Sequence, residues 1–238
     1  MLLLNKLYHL LYPQHCLHCG PDRLIDGVGL CKDCLKTIRR ITGAVCALCH
    51  IPFVSDAATS HTPDHLCGDC RADPPAFSRA ITPFYYEGSL ATAIQKFKYN
   101  KQTYLADFFV GLIVDDLAIL SVDRVIAIPL HYRRLQSREF NQSLLLAKKI
   151  AQRLSRPYSI DALIRTRETE PQVGLPKRRR EANVKGAFCV DRPDEVKDQR
   201  ILLVDDVYTT GTTLKEGAKA LKRGGAQEVI VAAIARMV

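Results

Sequence analysis

The segment ILLVDDVYTTGTTL, residues 201–214, combines acidic, hydroxylated and glycine residues in a short stretch. Its four apolar residues are typical of a buried strand, and two carboxylates, Asp205 and Asp206, follow directly. The loop after them consists of Val207, Tyr208, Thr209, Thr210, Gly211, Thr212 and Thr213. A helix starting near Leu214 presents backbone amides to an anion, the threonines add hydroxyl donors, and Gly211 permits close approach. The segment predicts a phosphate site beside two carboxylates that accept hydrogen bonds from sugar hydroxyls.

Two other interpretations of this segment are open. Adjacent aspartates at a strand end also cap helices or bind magnesium in other α/β proteins. A Thr-Gly sequence also forms ordinary turns. Because the carboxylates, the loop and the helix start occur in the order that a ligand site requires, the pattern favours the ligand site.

The cysteines of the chain suggest a second kind of chemistry. Eight of the nine lie between residues 16 and 70, in two copies of a paired CxxC arrangement. The first copy is Cys16, Cys19, Cys31 and Cys34, and the second is Cys46, Cys49, Cys67 and Cys70. Two CxxC turns close a tetrahedral zinc site with four thiolates and leave no open coordination position. The sequence predicts two structural zinc ions, which stabilise a segment with few apolar residues.

Alternatives to this zinc assignment concern bonding and pairing. Disulfides are disfavoured because the chain shows no export signal, and thiols in reducing cytosol stay available for metal. A crossed pairing of the four CxxC turns would use the same residues, although neighbours in sequence are favoured. The nearby histidines are not expected to be ligands, since four cysteines per site suffice; they are His15, His18, His50, His61 and His65.

The elements around these motifs indicate two domains. Composition changes near residue 75, which predicts a leucine-rich helix and double zinc ribbon in 1–75 and a second domain in 76–238. In the second domain, apolar strand patterns alternate with helical patterns, which predicts a parallel α/β sheet with helices on both faces. An apolar run lies at 80–86, the predicted strands are 124–128, 160–164, 200–204 and 228–234, and the predicted helices are 90–98, 104–120, 143–154 and 214–223. In such sheets, ligands bind at the carboxyl ends of strands.

The net charge and the hydropathy pattern limit which partners and which location are expected. Lysine and arginine number 34 against 25 acidic residues, a net charge of +9 that suits nucleic acid or a phosphate-rich small molecule. The segment 96–101, KFKYNK, fits a groove for single-stranded DNA, or equally a helix end with Phe97 and Tyr99 buried. The leucine-rich start is interrupted by polar residues, so no membrane insertion and a cytoplasmic location are expected.

Two further strings give the chain a family resemblance. AIPLHYRRLQSREFNQS, residues 127–143, and TRETEPQVGLPKRRREANVKGAF, residues 166–188, are similar to the ComF family of competence-associated proteins. The segment 201–214 resembles the phosphoribosyl pyrophosphate (PRPP) motif of type I phosphoribosyltransferases. The resemblance implies a type I phosphoribosyltransferase fold preceded by a small Cys-rich zinc-ribbon module. It further implies PRPP or a related phosphorylated ribose as ligand, Mg²⁺ with PRPP, and a role in DNA uptake beside uptake or recombination proteins.

The resemblance also implies further site residues. His131, Arg133 and Arg134 fall where these folds have a pyrophosphate loop, although a solvent-facing position suits the arginines equally well. Lys177, Arg178, Arg179 and Arg180 fall in a loop that closes over substrate, and the same run suits a DNA backbone. One departure is Glu139, where the family has glycine. A phosphoribosyltransferase with an unidentified acceptor, a DNA-binding protein and a non-catalytic PRPP sensor all remain open.

Overall fold

The structure, a computed structural model, describes residues 15–25, 29–53, 64–99, 102–131, 135–136, 140–167 and 182–238, without the side chains of 21–24. The strands are β1 (His15–Cys16), β2 (Gly20–Leu24), β3 (Arg79–Ile81), β4 (Phe84–Tyr85), β5 (Arg124–Ala127), β6 (Tyr158–Ser159), β7 (Leu163–Arg165), β8 (Phe188–Val190), β9 (Arg200–Val204), β10 (Val207–Tyr208), β11 (Glu228–Ala232) and β12 (Ala235–Arg236). The helices are α1 (Lys32–Lys36), α2 (Gly68–Ala72), α3 (Gly88–Tyr99), α4 (Leu105–Ala118), α5 (Gln142–Leu154) and α6 (Thr212–Arg223), with a 3₁₀ turn at Pro193–Glu195.

A five-stranded sheet forms the centre of the protein. Its strand order is β3, β11, β9, β5, β6, and every neighbouring pair is parallel. Parallel neighbours need a crossover, and the helices supply it: α5 connects β5 to β6, and α6 connects β9 to β11. A smaller parallel sheet of β10, β12 and β4 follows the ends of the central strands. The predicted α/β architecture with a parallel sheet is confirmed.

Each face of the sheet has its own hydrophobic core, because side chains alternate along a strand. In β9, Leu202 and Val204 face the core that α3, α4 and α5 cover. The intervening Ile201 and Leu203 face the core that α6 covers. Burying each such aliphatic side chain contributes about 1.5–3 kcal/mol. The two cores together fix the direction in which β9 delivers the residues that follow it.

The packing of α6 on the sheet depends on a glycine. A Cβ on Gly217 would lie 2.9 Å from Ile128 Cδ1 and 3.1 Å from Leu203 Cδ2. A Cβ there would force Ile128 or Leu203 to shift, whereas glycine allows the close approach without that displacement. The helix therefore sits low on the sheet, with its first turn next to the end of β9.

The predicted strand 160–164 is wrong as one element. Tyr158–Ser159 joins the edge of the central sheet, while Leu163–Arg165 forms a separate antiparallel pair with β8. Ile160, between them, is 67% exposed, and Asp161 forms an ion pair with Arg192. The chain turns there because the apolar run contributes to two different surfaces rather than to one strand.

The cysteine-rich segment shares both cores with the sheet. Cys16, Leu17 and Cys34 belong to the core on the α3 side, and Cys46, Cys49 and Cys70 belong to the core on the α6 side. The boundary near residue 75 stays a prediction, and the predicted amino-terminal helix lies outside the described residues. Within the described part of the chain, no helix has both the length and the apolar character to cross a membrane.

Candidate functional site

The end of β9 holds Asp205 and Asp206 in a fixed backbone position. Asp205 N donates to Ala232 O at 2.9 Å, and Ile234 N donates to Asp206 O at 3.1 Å. These bonds extend the pairing of β9 with β11 by two residues beyond the strand. Both carboxylates therefore stand at the carboxyl edge of the sheet, where ligands bind in open α/β folds.

The Asp205 carboxylate is tied to the neighbouring helix α5. Its Oδ1 accepts hydrogen bonds from Ser143 Oγ at 2.8 Å and from Asp206 N at 2.9 Å. Burial, followed by the negative charge of Asp206, raises the pKa of Asp205 to about 6. The hydrogen bond from Ser143 and the charge of Lys98 oppose this rise without cancelling it.

The Asp206 carboxylate has a cationic partner instead. Lys98 Nζ lies 2.8 Å from Asp206 Oδ1, and Asp206 is only 7% exposed. Burial is the largest single effect on Lys98 and lowers its pKa, but the charge and hydrogen bond of Asp206, with smaller contributions from Asp205 and Tyr86, together outweigh it, and the pKa of Lys98 is raised. Buried ion pairs are costly to break by removal of one partner, because the other charge stays behind without compensation.

Three consecutive residues at the start of α5 hold these groups together. Asn141 caps the helix, with Oδ1 accepting from Ser143 N and Leu144 N, while its Nδ2 donates to Ile128 O beyond β5. Gln142 Nε2 donates to Lys98 O at 3.0 Å, and Ser143 reaches Asp205. The string Asn-Gln-Ser thus joins β5, the end of α3 and the end of β9.

The loop after the carboxylates is shaped by one close contact. Gly211 has φ +74°, and a Cβ there would lie 2.2 Å from Tyr208 Oη. A side chain at this position would be both strained and in collision with the tyrosine ring. Gly211 is the N-cap residue of α6 and, without a side chain, makes no side-chain cap itself. The backbone amides of the first helical turn therefore begin at the loop.

The residues around this loop line a small, shallow pocket that opens to solvent. It is lined by Asp205, Val207, Tyr208, Thr209, Gly211, Thr212, Thr213 and Leu214. Thr210 Oγ1 and Thr212 Oγ1 lie 2.7 Å apart, so the threonine hydroxyls are already oriented by a mutual hydrogen bond. The pocket thus combines a carboxylate, hydroxyls and helix amides, which suits a ligand carrying both hydroxyl and phosphate groups.

The remaining predicted ligand residues are placed only in part. His131 is buried, four residues beyond β5. Arg133, Arg134, Glu139 and the basic run 177–180 lie outside the described residues. The two ends of the segment 166–187 are described: β7 and β8 pair antiparallel, and Thr166 N donates to Ala187 O at 3.0 Å. That segment therefore leaves and rejoins the fold at adjacent positions.

The eight predicted metal ligands converge into two groups of neighbours in sequence. In each group the four Sγ atoms lie within 4.8 Å of one another. Individual separations are 3.7 Å for Cys16 and Cys34 and 3.7 Å for Cys49 and Cys67. Zinc–sulfur bonds of about 2.3 Å in a tetrahedron require sulfur separations of about 3.8 Å. The thiol positions therefore fit one zinc ion in each group.

One thiol in each group is prepared as a thiolate. Burial opposes ionisation of Cys16, yet backbone amides of Cys19 and Cys31 donate to its Sγ and lower its pKa to about 6. The pKa of Cys46 is lowered to about 7 against burial in the same way, with Cys67 N at 3.3 Å from its Sγ. Thiolates are the form in which cysteine binds zinc.

Histidines near the cysteines bond elsewhere. His18 Nδ1 lies 3.0 Å from Thr92 Oγ1 in α3, and His50 Nδ1 lies 3.2 Å from Thr82 Oγ1. These contacts attach the cysteine-rich segment to the sheet domain. His61 lies outside the described residues.

Sequence reasoning missed Lys98 and Ser143 as members of the ligand site. Lys98 belonged to a segment interpreted as a DNA groove or a helix end, and Ser143 was assigned only to the start of a helix. The string Asn-Gln-Ser after a predicted strand was the available signal, because asparagine is a preferred N-cap and places the next polar side chains at the strand ends. Nothing local to Lys98 indicated its partner.

Comparisons with known proteins agree with this geometry. A phosphoribosyl transferase domain model matches residues 141–237, and a double zinc ribbon model matches residues 7–71. The first covers α5, the two carboxylates and the loop, and the second includes both cysteine groups. The chain thus carries a double zinc ribbon with structural zinc sites, joined to a domain of the phosphoribosyltransferase type.

Several bacterial relatives match over nearly the whole chain. DNA utilization protein YhgH of Escherichia coli (strain K12) is 32% identical over 231 residues, which cover 94% of this chain and 97% of the relative. Competence protein F of Haemophilus influenzae is 30% identical, covering 93% and 96%. Competence protein ComFC of Bacillus subtilis is 25% identical over 205 residues, covering 82% and 79%.

Proposed function

The chain belongs to the ComF family, and we propose that its phosphoribosyltransferase domain binds PRPP at the Asp205–Leu214 segment. One observation carries the proposal: two carboxylates, Asp206 buried and Asp205 partly buried, lead directly into a glycine loop and the amino-terminal end of α6. The ribose hydroxyls donate to Asp205 and Asp206, and the 5-phosphate lies at the loop amides. Mg²⁺ enters with the pyrophosphate, whose oxygens and the ribose hydroxyls are the hard ligands that it prefers.

We further propose that this binding serves the use of incoming DNA, as the names of the relatives suggest. In a transfer reaction, the site would orient the ribose and stabilise the departing pyrophosphate, which is largely a matter of positioning and charge. The basic run 177–180 is the proposed source of positive charge for the pyrophosphate, together with Arg133 and Arg134. The antiparallel stem of β7 and β8 supports this role, because it attaches that segment firmly at both ends.

Calorimetric titration of the zinc-loaded protein with Mg²⁺ and PRPP tests the ligand. Binding is expected for the wild type and is expected to be lost in Asp205→Asn/Asp206→Asn. The matched control is Asp191→Asn/Asp194→Asn, which removes the same charge from exposed positions. Thermal unfolding of each variant checks that it is folded. Equal affinity in the wild type and the site variant would overturn the proposal.

Single-stranded DNA is a second candidate ligand, favoured by one observation. Tyr99 follows Lys98 directly and is 61% exposed, although Phe97 is fully buried in the core. An exposed ring next in sequence to the lysine that pairs with Asp206, on a chain of net charge +9, suits base stacking next to a phosphate backbone. Stacking contributes about 1–3 kcal/mol per base.

Fluorescence anisotropy with a labelled oligothymidine tests this second candidate. Tyr99→Ala is expected to weaken binding by roughly tenfold or more, and Tyr99→Phe, which keeps the ring, is expected to bind as the wild type does. Neutralising the run 177–180 is expected to reduce the salt dependence of binding. Identical affinity for Tyr99→Ala and Tyr99→Phe would rule out stacking at this position.

A further inference from the structure

Arg236 is a buried cation with an unusual set of neighbours. Its side chain belongs to β12 and is only 3% exposed. Among the described residues, no carboxylate lies within ion-pair distance of it, and its Nε has no hydrogen-bond partner. Its Nη1 donates to the carbonyl oxygen of Cys49, in the second four-cysteine group. A buried guanidinium without a carboxylate needs another source of negative charge.

The second four-cysteine group supplies that charge. Four thiolates on one zinc ion carry a net negative charge, and Cys49 both ligates in this group and accepts the hydrogen bond from Arg236. A planar guanidinium is well suited to this place, since it is weakly hydrated and donates in a fixed direction. Occupancy of the zinc site therefore stabilises the position of Arg236.

The same side chain fixes the ligand loop. The guanidinium carbon of Arg236 lies 4.9 Å from the centroid of the Tyr208 ring. The two residues are also partners in the parallel pairing of β10 and β12, and Met237 N donates to Tyr208 O at 2.9 Å. Tyr208 in turn packs against Gly211, where the loop has its positive φ. A cation stacked on the face of a desolvated ring is attracted by the negative charge of that face.

We propose that Arg236 is a positioning residue that couples zinc in the second four-cysteine group to ligand binding at the loop. This inference rests on the proposed PRPP site. Zinc holds Arg236, Arg236 holds the Tyr208 ring, and the ring sets the course of the loop at Gly211. Because coupling between two sites is reciprocal, PRPP bound at the loop must stabilise zinc in the second group by the same factor.

The first four-cysteine group provides an internal control. Its direct contacts go to α3, where Ser89 Oγ donates to Cys34 O at 2.8 Å. From α3, the described contacts reach the carboxylates only at the far end of the helix, through the Lys98 side chain and through Lys98 O, which accepts from Gln142 beside Ser143. The first group is therefore expected to respond to the ligand less than twofold.

Residue-resolved thiol labelling measures the coupling. The zinc-loaded protein is treated with N-ethylmaleimide, with and without Mg²⁺ and PRPP, and each cysteine is followed by peptide mass spectrometry. Labelling of a zinc-bound thiolate is limited by release of the metal. PRPP is expected to slow labelling of Cys46, Cys49, Cys67 and Cys70 about fivefold or more, with less than a twofold change at the first group.

Two variants identify the residue responsible. Arg236→Met keeps a long unbranched side chain but removes the charge. It is expected to abolish the difference between labelling with and without PRPP. Arg236→Lys keeps the charge without the planar stack and is expected to retain part of the difference. Zinc content of two equivalents and PRPP binding by calorimetry establish that each protein is folded. The comparison of wild-type labelling with and without PRPP tests the coupling even if neither variant folds.

The outcomes separate the coupling from the ligand assignment. Calorimetric binding of PRPP with unchanged labelling of the second group, or with equal slowing of both groups, overturns the coupling and leaves the PRPP site standing. Coupling that persists in Arg236→Met removes Arg236 from the connection. Absence of any PRPP binding by the wild type overturns the proposed function and this inference with it.

Discussion

The two four-cysteine groups have the same ligands and similar spacing, yet they support different sides of the ligand site. The first belongs to the core under α3 and bonds to that helix through Ser89. The second belongs to the core that contains Tyr208 and Leu214 and bonds to Arg236. One group therefore supports the helix that carries Lys98, and the other supports the loop that carries Gly211.

The difference teaches that two metal groups of the same composition can contact different sides of the proposed ligand site. Neither group lines the pocket, but each contacts an element that leads to one of its sides, the first through Ser89 and the second through Arg236. Metal chemistry alone does not distinguish the two groups, whereas their neighbours do. The carboxylates Asp205 and Asp206 lie where the two supports meet.

Removing one ligand from each group should have the largest effect. Cys34→Ser and Cys70→Ser are each expected to lose one of two zinc equivalents and more than about 4 kcal/mol of unfolding free energy, since a structural zinc supplies folding energy. Elemental analysis and thermal unfolding measure both quantities. Hydrogen exchange should then rise in α3 for Cys34→Ser and in residues 207–213 for Cys70→Ser.

Cys189→Ser is the control for this pair, since Cys189 belongs to neither group. It should keep both zinc ions. If exchange rises in the same segments for Cys34→Ser and Cys70→Ser, the two groups do not support different sides of the site.

Removing the charge of Asp205, which lies where the two supports meet, should have the next largest effect. The folded state binds a proton on Asp205 more tightly than the unfolded state, because the folded pKa is raised to about 6. The stability from this proton is complete below about pH 4 and is lost as the pH rises through about 6. Asp205→Asn, which stays neutral, should therefore be more stable than the wild type at pH 7 by a few kcal/mol, since a pKa difference of one corresponds to roughly 1.4 kcal/mol.

Denaturant unfolding of both proteins between pH 4 and pH 8 measures this difference. It should shrink towards zero near pH 4, while PRPP affinity in the variant should be low at every pH. A constant stability difference across the range would mean that Asp205 keeps an ordinary pKa.

A methyl group in the loop tests the side supported by the second group. Gly211→Ala should cost about 1–2 kcal/mol for the positive φ and a further 1–3 kcal/mol, approximately, for the contact with Tyr208. Gly186→Ala is a matched control, because Gly186 has φ +68° and a Cβ there meets nothing within 4 Å. The difference between the two unfolding free energies isolates the contact. Equal losses would show that the Tyr208 ring moves aside freely.

Two substitutions that each remove one hydroxyl should have the smallest effects. Each tests the contacts of only one of the two four-cysteine groups. Ser89→Ala removes the bond to Cys34 O, and Thr82→Val removes the contact with His50. Each should cost about 1 kcal/mol. Thiol labelling should accelerate only in the first group for Ser89→Ala and only in the second for Thr82→Val. Acceleration in the opposite group would contradict the assignment.

The sequence was most informative where the residues of one proposed site are consecutive. Four apolar residues followed by Asp205, Asp206 and a glycine loop define a strand, a site and a helix start without reference to the remainder of the chain. The members of the two four-cysteine groups could also be predicted, because a zinc site requires both the residue type and the CxxC spacing. The alternation of apolar strand patterns with helical patterns was sufficient to predict the parallel sheet.

What the sequence did not predict depends on contacts between distant segments. The pairing of Lys98 with Asp206 and the stacking of Arg236 on Tyr208 join residues whose local patterns show only a helix end and a chain end. The predicted strand 160–164 failed for a related reason: an apolar run does not reveal which of two surfaces each residue will cover. Burial of Asp205, and hence its raised pKa, likewise depends on how α5 docks.

The ion pair between Lys98 and Asp206 also bears on the order in which a metal and a ligand arrive. An ammonium already lies 2.8 Å from the carboxylate, so a bare divalent cation is repelled by it and must displace it to bind. A magnesium ion that travels with a pyrophosphate brings its own compensating charge and meets no such opposition. We therefore expect magnesium to enter the proposed PRPP site together with the pyrophosphate rather than ahead of it.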